Sequence, residues 1–309
     1  MATITAKDVA ALRAKTGIGM MECKKALVEA DGDMDAAIKL LREKGELKAE
    51  AKMATRIAAD GIVDVLAENG KTAIVEVNTE TDFVAKNETF KAFVNNLLKS
   101  IIANNPANVE ELLASDYEGG VTVDAKLKEL IFQIGEKITI RRFAVVEGVT
   151  STYIHGLGSI GVIVKFDTDC ADHADFAEFA KNIALQVGAY PTPYLNREAV
   201  PAEVIENEKG IIKAQLANDP KMANKPEKVL DGIVMGKLGK FYENNCLVDM
   251  EYVKAEDHEN VAKYVANSAK AMGGSIAIAS FVRFEKGEGI EKKEEDYAAE
   301  IAKLSGVKQ

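Results

Sequence analysis

Apolar positions in the first 56 residues recur at helical spacing and are broken by turn residues. Thr5 is an N-cap candidate, and Val9 and Leu12 follow on one face. Thr16-Gly17-Ile18-Gly19 interrupts that stripe. A second stripe carries Met20, Cys23, Ala26, Leu27 and Ala30. After the turn Asp31-Gly32-Asp33, with Asp33 as a capping residue, a third carries Ala36, Ala37, Leu40 and Leu41. Gly45 reads as its end, and residues 48–56 as a charged linker for which a helical conformation stays open. The period then shortens. Gly61 to Leu66 alternates as a strand, Asn69-Gly70 is a strong hairpin signal, and Thr72 to Val77 returns. An amphipathic helix follows, with Phe90, Phe93, Val94, Leu97 and Ile101 on one face. Helical patterns over 108–115 and 122–135 lead to a strand from Ile138 to Val146.

That unit recurs in the second half. Tyr153-Ile154 and Ile160 to Phe166 supply the hairpin, and Phe176 and Phe179 repeat the spacing of Phe90 and Phe93. The closing FVRFEKG, residues 281–287, echoes FAVVEG at 143–148. Two copies of a hairpin, helix and closing-strand unit are therefore predicted. The copies differ where it matters. Val77 to Phe90 spans 13 positions and Phe166 to Phe176 spans 10, so the first copy is longer by the stretch Thr81-Asp82-Phe83. The second copy is interrupted by residues 201–245, whose apolar pattern suits a projecting pair of antiparallel helices. Residues 294–304 close the chain with an amphipathic helical pattern.

The prediction is an α+β fold divided as follows. Residues 1–56 form a helical module, 57–148 the first core subdomain, and 149–200 with 246–288 the second. Residues 201–245 are an inserted helical hairpin and 289–309 a C-terminal module. Both subdomains are expected to carry antiparallel sheets.

Composition narrows the function. Hydrophobic residues make up 47% of the chain and charged residues 28%, an ordinary globular balance. The net charge is -10, although residues 1–56 hold 11 Lys/Arg against 9 Asp/Glu. An acidic chain is poorly suited to tracking phosphates, so nucleic acid is not an expected partner. No apolar run is long enough to span a bilayer and no leader pattern is visible, so no membrane role is expected. The three cysteines, at 23, 170 and 246, are too scattered for a disulfide framework. A cytoplasmic location is the expectation.

Catalytic constellations do not emerge. Gly135-Glu136-Lys137 lacks the glycines of a phosphate loop, so direct nucleotide binding is not expected. Asp31-Gly32-Asp33-Met34-Asp35 starts like a calcium loop, but Ala36 and Arg42 stand where it needs Gly and Glu. Cys170 and His173 offer half a metal site at most, and His155, His173 and His258 sit in unrelated contexts. The chain is expected to be no enzyme and to carry no metal or cofactor.

Two stretches remain as binding candidates. The turn after the first helix presents Ile18, Met20 and Met21, either as a flexible apolar patch or as packing for the helical core. The polar stretch before the helix of Phe90 holds Phe83, either stapled onto that helix or standing exposed as an anchor. Spacing leaves both pairs of readings open.

Those stretches carry a resemblance. TGIGMMECKKAL from 16, TDFVAK at 81–86, IGEKITIRR at 134–142, YIHG at 153–156 and RFEKGEGIEK from 283 stand in the order of the motifs of the elongation factor Ts family. Its members are bacterial exchange factors for the GTPase elongation factor Tu. Thr79 departs from the pattern, which carries Cys or Ser there. The resemblance implies that the N-terminal module is ubiquitin-associated-like and that residues 201–245 form a coiled coil. It implies a factor that promotes GDP release so that GTP can reload during translation. Thr81, Asp82, Phe83 and Val84 would dislocate the GTPase's magnesium site, with Ile134 and Gly135 supporting that contact. Arg13, Ile18, Met20 and Met21 of the module would grip the same domain, and His155 would face another domain of the partner. The 201–245 hairpin could pair two copies in a homodimer or touch the partner. A helical adaptor and a metal-dependent enzyme are the alternative classes.

Overall fold

The computed structural model describes residues 4–291 except 220, 221, 223 and 224, with residues 46–55 described through their backbone only. The expected C-terminal helix lies outside the described residues. The architecture is mixed α+β, with eleven α-helices and small antiparallel sheets among the described residues.

Three helices open the chain: α1 (Ala6–Thr16), α2 (Met20–Glu29) and α3 (Met34–Thr55). Thr5 and Asp8 form a reciprocal capping box on α1, and Gly17 ends that helix in the left-handed conformation. Asp33 caps α3 by accepting the amides of Asp35 and Ala36. Val9, Leu12, Cys23, Leu27, Ala37 and Leu41 form the core of this group. One expectation fails here: α3 does not stop at Gly45 but runs on to Thr55. The glycine instead allows close approach. A Cβ there would stand 3.1 Å from the ring of Phe132, a residue of α7 (Val123–Ile134) that packs into the same cluster. Helix propensity tolerates a single interior glycine at a cost of about 1 kcal/mol, which that packing offsets.

The first sheet has the order β1-β2-β5, formed by β1 (Asp60–Glu68), β2 (Lys71–Thr79) and β5 (Ile138–Glu147), all antiparallel. Asn69 and Gly70 turn the hairpin with φ of 54° and 76°, as a tight primed turn requires. Between β2 and β5 lie α4 (Asp82–Ala85), α5 (Glu88–Asn104), α6 (Val109–Ala114), a small hairpin of β3 (Asp116–Glu118) with β4 (Val121–Thr122), and α7. The second sheet repeats the arrangement as β6-β7-β8, with β6 (Val149–His155), β7 (Ile160–Thr168) and β8 (Ile276–Glu285). Its covering helix is α8 (Phe176–Ala189). The helix pair α9 (Ala202–Ala217) and α10 (Glu227–Asn245) follows, joined through Ile212, Leu216 and Val234. Then comes α11 (Val261–Met272).

Both sheets slip register at matching places: between Glu76 and Val77 opposite β5, and between Lys165 and Phe166 opposite β8. Phe166 is thus the counterpart of Val77, and the connection to the matching helix is three residues longer in the first copy, as the sequence predicts.

Strand alternation builds the layers. On β2, Ala73, Val75 and Val77 face the helices with Phe90, Val94, Leu97 and Ile101, whereas Ile74 faces the other sheet with Val63 and Ile163. The order is helix, sheet, sheet, helix. Gly161 of β7 lets the sheets meet, since a Cβ there would stand 2.4 Å from Val63. Glu76 also points between the sheets and is fully buried. It accepts from the Gly287 amide at 2.8 Å, from Arg141 at 3.0 Å, from Arg142 at 2.6 Å and from Asn78 at 3.1 Å. Arg142 reaches on to Glu288 at 3.0 Å and lies over the ring of Phe284 at 4.3 Å. The turn after β8 is thereby clamped to the first sheet.

Candidate functional site

The residues that β2 delivers past Thr79 form a short, strongly anchored projection. Thr81 enters the single-turn helix α4 in an extended conformation, with φ -129° and ψ 156°. Its amide and hydroxyl donate to the Glu136 carboxylate at 3.1 and 2.8 Å, and its carbonyl accepts from the Thr79 hydroxyl at 2.8 Å. Glu80 is held as firmly. It accepts from the Lys137 amide at 2.5 Å and from Arg56 at 3.1 Å to each oxygen, while the Lys137 ammonium donates to the Arg56 carbonyl at 2.6 Å.

On this base α4 separates its side chains sharply. Val84 and Ala85 are buried in the first core, and Phe83 is 79% exposed. The staple reading is excluded, because Val84 occupies the inward position and leaves Phe83 in solvent. Half-exposed Asp82 bonds Lys86 at 2.6 Å. The Lys86 ammonium holds the Asp82 carboxyl below the usual carboxylate range, and Lys286 adds a longer-range pull in the same direction. Asn87 ends the projection and caps α5 through the amides of Thr89 and Phe90.

The structure brings several predicted residues together here. Phe83, Val84 and Ile134 line one shallow depression with Gly17 and Gln133. Ile134 is the last residue of α7, and Gly135 ends that helix with φ 85°. Gln133 donates to the Thr16 carbonyl at 3.1 Å, which fastens the turn of the N-terminal helices beside the projection. Beyond that turn Met20 and Met21 are 42% and 66% exposed at the start of α2, and Arg13 is exposed on α1. Ile18 departs from the exposed patch it was read with. It is buried, because the turn folds it inward onto the core formed with α3. His155 lies apart, exposed at the end of β6, with its Nδ1 2.9 Å from the Tyr153 hydroxyl. Next to it Leu157 is 89% exposed at the tip of the β6–β7 hairpin.

Glu80, Glu136, Lys137 and Arg56 were given no role at the site from the sequence. Their partners are 55 and 57 positions apart in the chain for the Thr81–Glu136 and Glu80–Lys137 contacts, and no local pattern announces them. A larger cleft elsewhere is lined by Tyr190, Arg197, Lys240, Asp249 and His258. Its cations are already paired, Arg197 with Asp249 at 2.5 Å and Lys240 with Glu243 at 2.8 Å. It brings together none of the predicted site residues. Among the described residues no helix is long and apolar enough to cross a membrane.

An exposed aromatic on a rigid base, beside a second apolar patch on the N-terminal helices, suits the seizing of a protein partner better than covalent chemistry. A family model described as Elongation factor TS matches residues 80–288. Elongation factor Ts of Clostridium botulinum (strain 657 / Type Ba4) is 47% identical over 305 residues, covering 96% of this chain and 97% of the relative. Elongation factor Ts of Clostridium perfringens (strain 13 / Type A) is 45% identical over 308 residues, covering 98% of this chain and 99% of the relative.

Proposed function

The chain belongs to the elongation factor Ts family, and from that premise we propose that it binds elongation factor Tu carrying GDP and speeds GDP release, so that GTP reloads the GTPase during translation in the cytoplasm. The observation that carries this reading is Phe83, exposed at 79% within the family's TDFVAK stretch on a base that leaves it little freedom.

A tightly held GDP owes much of its affinity to its magnesium ion and to backbone amides around the phosphates. Asp82 and Phe83 enter the GTPase beside that metal and displace the segment that positions it. Burying Phe83 there supplies roughly 1.5–3 kcal/mol, which offsets part of the distortion. Thr81 and Val84 hold the projection, and Ile134 and Gly135 support it from α7. Arg13, Met20 and Met21 grip the same domain, with Ile18 shaping the turn from within. His155 meets a second domain of the partner. Coupling is reciprocal: whatever factor this chain removes from nucleotide affinity, the nucleotide removes from the chain's affinity for the GTPase. GTP binding therefore expels the factor, and no covalent bond changes.

The division into a ubiquitin-associated-like module at 1–56, two core subdomains, a coiled-coil hairpin at 201–245 and a C-terminal module at 289–309 belongs to the same reading. On the hairpin Ile211, Val229 and Met235 are exposed, which suits a contact between two copies. Sedimentation with and without Met235→Glu tests that pairing, and a parent that stays monomeric at tens of micromolar would remove it. The exchange reading is tested by release of a fluorescent GDP analogue from elongation factor Tu. An unchanged release rate on adding this chain would overturn it.

A further inference from the structure

The β2–β5 ladder ends at the pair Thr79 and Ile138. Beyond it the two segments part, one toward Phe83 and the other toward Gly135 and Ile134. Two glutamates carry the pairing past that end. Glu80 accepts the amide of Lys137, and Glu136 accepts the amide of Thr81. Side-chain carboxylates thus take the N–H groups that strand carbonyls would take in a longer ladder. A carboxylate is the stronger acceptor, and each one here also takes a second donor: Arg56 on Glu80, the Thr81 hydroxyl on Glu136.

The consequence for α4 is specific. Thr81 stands at its N-cap, yet its hydroxyl makes no cap bond and is spent on Glu136. A one-turn helix without its cap has little stability of its own. The grip on Thr81, through its amide, hydroxyl and carbonyl, therefore sets the direction in which α4 starts, and the buried Val84 and Ala85 hold its other end, so that the two together aim Phe83.

We infer that Glu136, with Glu80 as its reciprocal, is a positioning residue for nucleotide exchange, acting through Thr81 to aim Phe83. The inference rests on the exchange reading above. A positioned group acts at the step where geometry counts, and small misplacements of such a group are costly. The contact surface that sets partner affinity stays in place.

The test is stopped-flow GDP release from elongation factor Tu titrated with the full-length chain, for the parent, Glu136→Ala, Glu136→Gln, Phe83→Ala and the double variant Phe83→Ala/Glu136→Ala. Glu136→Ala is expected to lower the maximal release rate at least tenfold while the half-saturating concentration moves less than threefold. Glu136→Gln, which can still accept the Thr81 amide, is expected to recover most of that rate. In the Phe83→Ala background the Glu136→Ala change is expected to cost less than twofold, because its effect runs through Phe83. Hydrogen exchange of the Thr81 amide is expected to quicken at least tenfold in Glu136→Ala. A maximal rate within twofold of the parent, or equal additional losses with and without Phe83, would overturn the inference. If the parent itself releases no GDP, the exchange reading has failed, and the Thr81 amide still reports whether the brace exists.

Discussion

Glu76 offers the most exacting test of how the two sheets are held together. Its carboxylate is fully buried and accepts four donors, two of them guanidinium groups. Glu76→Ala strands the Arg141 and Arg142 cations beside a void and leaves the Gly287 amide unpaired. Breaking a fully buried ion pair costs roughly 3–5 kcal/mol. Arg141 and Arg142 retain 27% and 31% exposure, so water recovers part of that loss. The expected cost is about 3 kcal/mol, and about 2 kcal/mol for the isosteric Glu76→Gln, which keeps the planar shape and one acceptor oxygen but turns a donor toward Arg142. Urea denaturation followed by circular dichroism at pH 7.5 reads both. The pH dependence adds a second signature. Burial pushes the Glu76 carboxyl up, but the Gly287 amide and the two arginines outweigh it and hold the folded carboxyl below its ordinary value. The added stability is therefore full above the unfolded carboxyl value of about 4.3 and is lost as pH falls through the lower folded value. The parent minus Glu76→Gln difference should be level above about pH 5.5 and shrink below about pH 4. A Glu76→Ala protein within 0.5 kcal/mol of the parent, or a difference that grows as pH falls, would refute the argument.

Phe83→Ala should leave unfolding free energy within about 0.5 kcal/mol of the parent, since the ring is in solvent, while slowing GDP release by tenfold or more; equal proportional losses of stability and exchange would return Phe83 to a structural role. Met20→Ser with Met21→Ser should raise the half-saturating concentration for elongation factor Tu severalfold with an unchanged melting temperature, and calorimetric titration showing parental affinity would remove the second patch from the interface. Gly45→Val drives methyl groups into the ring of Phe132, which a lone Cβ would already approach to 3.1 Å; small-angle scattering should then show a larger radius of gyration, and a profile identical to the parent's would refute the packing role given to that glycine.

Local signals were legible wherever the chain itself supplies both partners. Thr5, Asp33, Asn69 and Gly70 act within a few residues of where they stand, and each performs as its chemistry predicts. The longer strand-to-helix connection around Phe83 was legible because the chain carries its own comparison in the second copy. What could not be read depends on distant partners. Gly45 stops nothing because Phe132 packs over it. The exposure of Phe83 and the burial of Ile18 follow from which neighbour claims the inward position, Val84 in one case and the third helix in the other. The Glu80 and Glu136 brace joins segments that only the β2–β5 pairing brings side by side. Helix α11 is a different omission. Asn260 caps it, and Val261, Tyr264, Val265 and Met272 pack into the second core at helical spacing, a local signal as plain as those of the helices that were predicted.

The matched irregularities in the two sheets set where this chain tolerates a change of length. In β5, Ile138 and Ile140 face the helices and so do Phe143 and Val145, an even pair followed by an odd one. In β8 the same reversal separates Ile276 and Ile278 from Phe281. One residue in each strand, Arg141 and Ala279, absorbs the change of phase. Removing Ala279 joins two stretches that are already in phase with their neighbours. Removing a residue of β8 away from that slot turns the side chains between the deletion and the nearer strand end, or the slot, to the opposite face. The same slot in β5 is occupied by an arginine that grips Glu76. A single-residue deletion that one half of the molecule can absorb would therefore, in the other half, loosen the clamp between the sheets.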